Sequence, residues 1–122
     1  MRKFIFGFLL LPSVFLFAQQ ETTMQALHVI DYTSDKKLEG LAHQLPQLAE
    51  MGINTLFLEV DYNFEFKSHP ELIENNEPIT LAGAQRFGEL CKKYNIRLIP
   101  QFQMIGHQSW AENTWAFLRK HP

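Results

Sequence analysis

Apolar residues recur along this chain in two alternating patterns, short unbroken runs and longer stretches at three- and four-residue spacing, which predict strands and helices in turn. Ala26 to Asp31 is a short apolar run closing on a carboxylate, the pattern of a buried parallel strand. Tyr32 to Asp35 supplies turn residues, with Thr33, Ser34 and Asp35 as N-cap candidates. Leu38, Leu41, Ala42, Leu45, Leu48 and Ala49 then mark one face of a helix of about four turns. Pro46 interrupts that face, and its missing N–H predicts a kink or a helix that restarts near His43. Met51-Gly52 supplies a glycine stop.

Ile53 to Asp61 is a second strand, apolar until it reaches Glu59 and Asp61. The long connection Tyr62 to Ile79 follows, and Thr80 is a plausible N-cap for a helix with Ala84, Phe87, Gly88, Cys91 and Tyr94 on its inner stripe. Asn95 can close it. Ile96 to Ile99 is a third strand, and Pro100 predicts that it stops at or near that point. Ala111, Trp115 and Leu118 stand at helical spacing, so a third helix is predicted from Ser109 to Lys120. The order β-α-β-α-β-α implies right-handed crossovers and a parallel sheet, an α/β fold. There is no internal repeat.

The first 18 residues change the picture. Arg2 and Lys3 form a basic start, Phe4 to Phe17 an apolar run, and Ala18 a small residue before Gln19, so residues 1–18 read as a secretory signal peptide and 19–25 as a tether. The expected location is exported, periplasmic or extracellular. A retained anchor is the alternative reading, but a 14-residue run containing Pro12 is short for a bilayer, and no stable membrane anchor is expected. Without the leader, nine basic residues stand against 13 acidic ones, a net charge near −4, so nothing basic remains to grip nucleic acid. The single cysteine, Cys91, cannot form an internal bridge, and its place on an apolar stripe predicts a buried, inert thiol.

In parallel sheets, ligand groups come from the carboxyl ends of strands. Asp31, Glu59, Asp61, Gln101, Gln103 and His107 fall at such ends, and the alternative is a set of loops that hydrogen-bond their own backbone. Glu59 and Asp61, two residues apart, are expected on one face. Phe64 and Phe66 in the long connection could stack on a ligand or simply pack the loop. The chain has no nucleophile elbow and no phosphate loop. The five histidines, His28, His43, His69, His107 and His121, do not pair at metal-ligand spacing, so no metal and no cofactor are expected. His43 reads as a solvated helix residue and His28 as a strand residue, while His107 alone is placed where an imidazole could meet a ligand.

Gly52-Ile-Asn-Thr-Leu-Phe-Leu-Glu-Val-Asp61 and, later, Leu98-Ile-Pro-Gln-Phe-Gln-Met-Ile-Gly-His107 resemble the second and third strands of glycoside hydrolase family 20, the β-N-acetylhexosaminidases. The first strand with Asp31 fits too, and the resemblance runs from about Ala26 to the end. It implies that residues 26–122 are the N-terminal portion, three β/α units, of a (β/α)8 TIM barrel that removes terminal N-acetylhexosamine from glycans with retention of configuration. In that family the substrate's own acetamido group is the nucleophile. An Asp orients it and an adjacent Glu is the acid/base, both after the fourth strand, so the catalytic pair is expected beyond Pro122 and this chain alone is expected to be inactive. Asp31, Glu59, Asp61, Gln103 and His107 are then the expected substrate-binding residues. Many members carry acidic residues in place of Gln101 and Gln103 and proline in place of Ile105, and none of the arginines that commonly follow the first strand stands near Asp31, which marks a divergent branch. The alternative is a non-catalytic carbohydrate-binding barrel or a barrel enzyme of another chemistry.

Overall fold

The computed structural model describes residues 23–103, 109–110, 113–114 and 116–121. Residues 1–18, read above as a leader, lie outside the described residues, as does His107. Strand β1 spans Ala26–Val29, helix α1 Asp35–Ala42, α2 Leu45–Glu50, β2 Thr55–Glu59, α3 Leu81–Lys93 and β3 Arg97–Gln101. The three strands form a parallel sheet in chain order, with Val29 level with Leu58 and Pro100, and Glu59 level with Gln101. The protein is therefore a small α/β unit whose crossovers step in one direction. Right-handed crossovers that step one way lay their helices on one face of the sheet.

Side-chain alternation divides the two faces. Leu56 and Leu58 of β2 join Val29, Leu38, Leu41, Leu45, Phe87, Cys91 and Ile96 in the buried core between sheet and helices. The intervening residues, His28 on β1, Phe57 and Glu59 on β2 and Ile99 on β3, occupy the reverse face. Burial follows the division, since Leu56 and Leu58 are closed off while Phe57 and Glu59 are half-buried.

Local sequence accounts for the helix ends. Ser34 caps α1, its hydroxyl accepting from the Lys37 N–H at 3.3 Å. Thr80 caps α3 by accepting from the Gly83 N–H at 2.9 Å. The first residue of α1 meets the cap of α3: the Asp35 carboxylate accepts the Thr80 N–H at 2.9 Å and the Thr80 hydroxyl at 2.7 Å. A Cβ on Gly83 would stand 1.9 Å from the Asp35 Oδ1, so glycine here permits the approach of α1 to α3. Gly52 and Asn95, at φ +87° and +56°, turn the chain left-handed after α2 and α3.

The interruption that Pro46 predicts is present: the helical stretch over 38–49 breaks at His43-Gln44 and restarts at Leu45, so that Pro46 sits in the first turn of α2, where no helical N–H is required. Strand β3 ends at Gln101, one residue past Pro100. The Arg97 N–H donates to the Asn54 carbonyl at 2.8 Å and the Gln101 carbonyl accepts from the Val60 N–H at 3.0 Å, so alternate residues, Leu98 and Pro100, direct their backbone groups away from β2. The proline costs this sheet no hydrogen bond. The region predicted as one helix over 109–120 instead contains a two-stranded antiparallel pair, β4 (Ser109–Trp110) with β5 (Asn113–Thr114), before α4 (Ala116–Lys120). Ser, Asn and Thr are weak helix formers, and three apolar residues at helical spacing do not outweigh them. Lastly, the connection from Tyr62 to Ile79 is braced internally by a Phe64–Ile79 bridge and a single 3₁₀ turn at Pro70–Leu72. No helix among the described residues is long and apolar enough to cross a membrane.

Candidate functional site

Because β1, β2 and β3 run parallel, their carboxyl ends open on the same end of the sheet. That end carries Asp31, Glu59, Asp61, Gln101 and Gln103. After β1 the backbone turns left-handed at Asp31, φ +65°, and the residue is exposed. Its carbonyl accepts the Lys37 ammonium at 2.8 Å, and the same ammonium donates to the Thr33 hydroxyl at 3.1 Å.

Glu59 ends β2 on the reverse face. Its Oε2 lies 3.4 Å from the Nε2 of His28 on the neighbouring strand, a diagonal contact one row apart in the register. Below Glu59, the row His28, Phe57 and Ile99 runs across all three strands, and beside it stands Gln101. Asp61 behaves differently. It has left the strand, its φ is +38°, and it is 5% exposed, with Oδ1 accepting the Gln103 N–H at 2.8 Å. The expectation that Glu59 and Asp61 share a face holds only while strand geometry continues, and the left-handed backbone at Asp61 ends it. Asp61 ties the exit of β2 to the exit of β3.

Beside this tie lies a run of aromatic contacts. Tyr62 meets Phe102 edge-on at 5.0 Å, Phe102 meets Phe66 at 5.9 Å, and Phe66 meets Phe64 at 5.5 Å. The aromatics of the long connection thus pack on one another. Burial is the main cause that raises the Tyr62 phenol above its ordinary value, with the Asp61 and Glu74 carboxylates adding to it and the Phe117 backbone opposing it. Helix α4 meets the same connection through an ion pair of Arg119 with Glu74, and just beyond the helix the His121 imidazole lies 3.9 Å from the Glu71 carboxylate. On the helix side, a pocket of about 300 Å³ beneath Phe64 and Phe66 is lined by apolar side chains such as Leu58, Val60, Phe87 and Leu98, and it suits no polar ligand.

Of the five sequence-predicted residues, Asp61 and Gln103 are in direct contact, Glu59 faces the reverse side, Asp31 stands at the neighbouring exit and His107 lies outside the described residues. His28, which the sequence marks only as a strand residue, comes within 3.4 Å of Glu59 through the register of β1 against β2. Toward the carboxyl ends of the strands the reverse face carries a carboxylate, an imidazole and an amide above Phe57 and Ile99, a set that accepts and donates hydrogen bonds to neutral hydroxyls, while Thr55 and Arg97 share that face at its opposite end. Lys37 is engaged at the β1 exit and Arg97 starts β3 at the opposite end, so neither lends a cation to Glu59. No group of three or more His, Cys, Asp or Glu side chains among the described residues could hold a metal ion. No protein-family model matches this chain, and no curated protein matches it either.

Proposed function

We propose that this chain contributes the first three β/α units of an exported (β/α)8 glycoside hydrolase of the β-N-acetylhexosaminidase type, acting on terminal N-acetylhexosamine of a glycan. The observation that carries the reading is the chain-order parallel sheet with Glu59, Gln101 and His28 on the face turned from α1, α2 and α3. Three parallel strands in chain order are compatible with consecutive units of a barrel, which presents polar groups at the carboxyl ends of its strands, and equally with one half of a doubly wound sheet. The sequence resemblance supplies the substrate class, and the cation-poor set of hydroxyl-binding groups is compatible with it.

In this reading Asp31, Glu59, Gln103 and His107 bind sugar hydroxyls, and Asp61 shapes the mouth through Gln103. The acid/base pair belongs to a later strand. The test compares the 122-residue chain with a version extended through the whole barrel on an aryl N-acetylglucosaminide. Turnover by the extended version only is the expected result. Comparable turnover by the short chain would overturn the placement of the catalytic pair, and sugar binding without turnover by the extended version would favour the non-catalytic barrel. Export is tested separately, by mass spectrometry of the mature N-terminus, expected at Gln19.

A further inference from the structure

Asp31 leaves β1 with φ at +65°, in the left-handed region that glycine enters freely and aspartate only at a cost. Such a turn persists where its surroundings over-determine it. Two side chains do so here. The Lys37 ammonium donates to the Asp31 carbonyl at 2.8 Å and to the Thr33 hydroxyl at 3.1 Å. The Asn75 amide, reaching over from the connection after β2, donates to the Thr33 carbonyl at 2.8 Å. Asn75 is itself held, because its side-chain oxygen accepts the Glu77 N–H at 3.0 Å. We infer that Lys37 and Asn75 are positioning residues for Asp31: together they lock the β1 exit in the left-handed turn that presents the Asp31 carboxylate at the carboxyl end of the sheet. That this carboxylate meets a sugar hydroxyl rests on the carbohydrate reading above, whereas the lock does not.

Two features set the lock apart from ordinary loop packing. Lys37 stands in the first turn of α1, where the helix dipole disfavours a cation unless the ammonium is engaged ahead of the helix. The Asp31 carbonyl and the Thr33 hydroxyl engage it. The second feature is the residue that is held. Glycine would suit the backbone better, yet the turn carries an exposed carboxylate that makes no hydrogen bond or ion pair among the described residues. An acceptor on a fixed backbone suits a hydroxyl-bearing ligand, since a loop that ordered only on binding would subtract its lost freedom from the affinity.

The first experiment uses the full chain labelled with ¹⁵N and ¹³C. A positive φ brings a residue's amide and α protons close together, so the native chain is expected to show a strong intraresidue Overhauser effect between them at Asp31. Asn75→Asp keeps the bond from Glu77 and removes the donor to Thr33, while Lys37→Met removes the ammonium and keeps the stem. Each is expected to weaken that effect at Asp31 while the spectrum of the sheet is kept. A signal that survives either substitution overturns the proposal for that residue, whatever the ligand. The second experiment takes the version extended through the whole barrel on an aryl N-acetylglucosaminide. Asn75→Asp is expected to raise KM about fivefold, the worth of one net hydrogen bond, with kcat little changed, and to add nothing to the effect of Asp31→Ala. An unchanged KM, or effects that multiply in the double variant, overturns positioning. No turnover by the native extended version counts against the carbohydrate reading and leaves the lock to be decided by the first experiment.

Discussion

Cys91 is fully buried, and burial pushes its thiol up to about 11, with its own backbone N–H opposing the shift. The native chain is therefore expected to be inert to a thiol-reactive dye at pH 8 and to react fully once unfolded; rapid labelling of the native protein would contradict this. Tyr62 offers a second titration. Its phenol is raised above the ordinary value of 10.0 in the folded chain, so the neutral form is favoured by folding. The associated stability is complete below pH 10 and is lost as pH climbs from there through the folded value. Urea unfolding at pH 9 and pH 11 is expected to show a smaller loss for Tyr62→Phe than for the native chain; equal losses would remove Tyr62 from the account. The inert cysteine was legible because its helical stripe is a local pattern. The contacts of Asp61 and His28 were not, because one depends on a left-handed backbone and the other on strand register, neither of which is written in a single residue's neighbours.

The junction of α1 with α3 is held by short, polar contacts. Thr80 is at once the cap of α3 and the donor to Asp35 at the start of α1, so one hydroxyl serves two helices. Thr80→Ala is expected to cost about 0.5–2 kcal/mol, the range for a lost N-cap. Gly83→Ala forces its new methyl group into the Asp35 carboxylate and is expected to cost about 1–3 kcal/mol despite the better helix propensity of alanine. Chemical denaturation checks both, and a stabilising Gly83→Ala would show that Asp35 moves aside freely. The helices α1 to α3 and their caps were readable because Ser34, Thr80, Gly52 and Asn95 act within a few residues of themselves. The sequence reading of 109–120 failed where spacing was the sole support and the residues themselves were indifferent to helix formation.

The sheet as a whole is asymmetric, with its tightly packed side against the helices. Deleting a leucine from that side and a phenylalanine from the other should reverse the order expected from side-chain size. Leu58→Ala is expected to cost about 2–5 kcal/mol, and Phe57→Ala less, although it removes more atoms. A larger loss at Phe57 would mean that the reverse face is the better packed one. Strand β3 pairs with β2 on one side, and the backbone groups of Leu98 and Pro100 point to the other, where among the described residues no strand pairs with them and where the proposed barrel would place its fourth strand. An outward row of donors and acceptors can template growth by foreign chains, the route by which native sheets are recruited into aggregates. At Pro100 that row lacks a donor, so a foreign strand arriving there would leave one of its carbonyls unanswered. Pro100→Val is accordingly expected to raise light scattering on prolonged incubation without changing the pairing of β3 with β2, and unchanged scattering would assign no such role to the proline. Its consequence is kinetic: one missing hydrogen makes the outer edge a poor seed while the inner edge keeps all of its bonds.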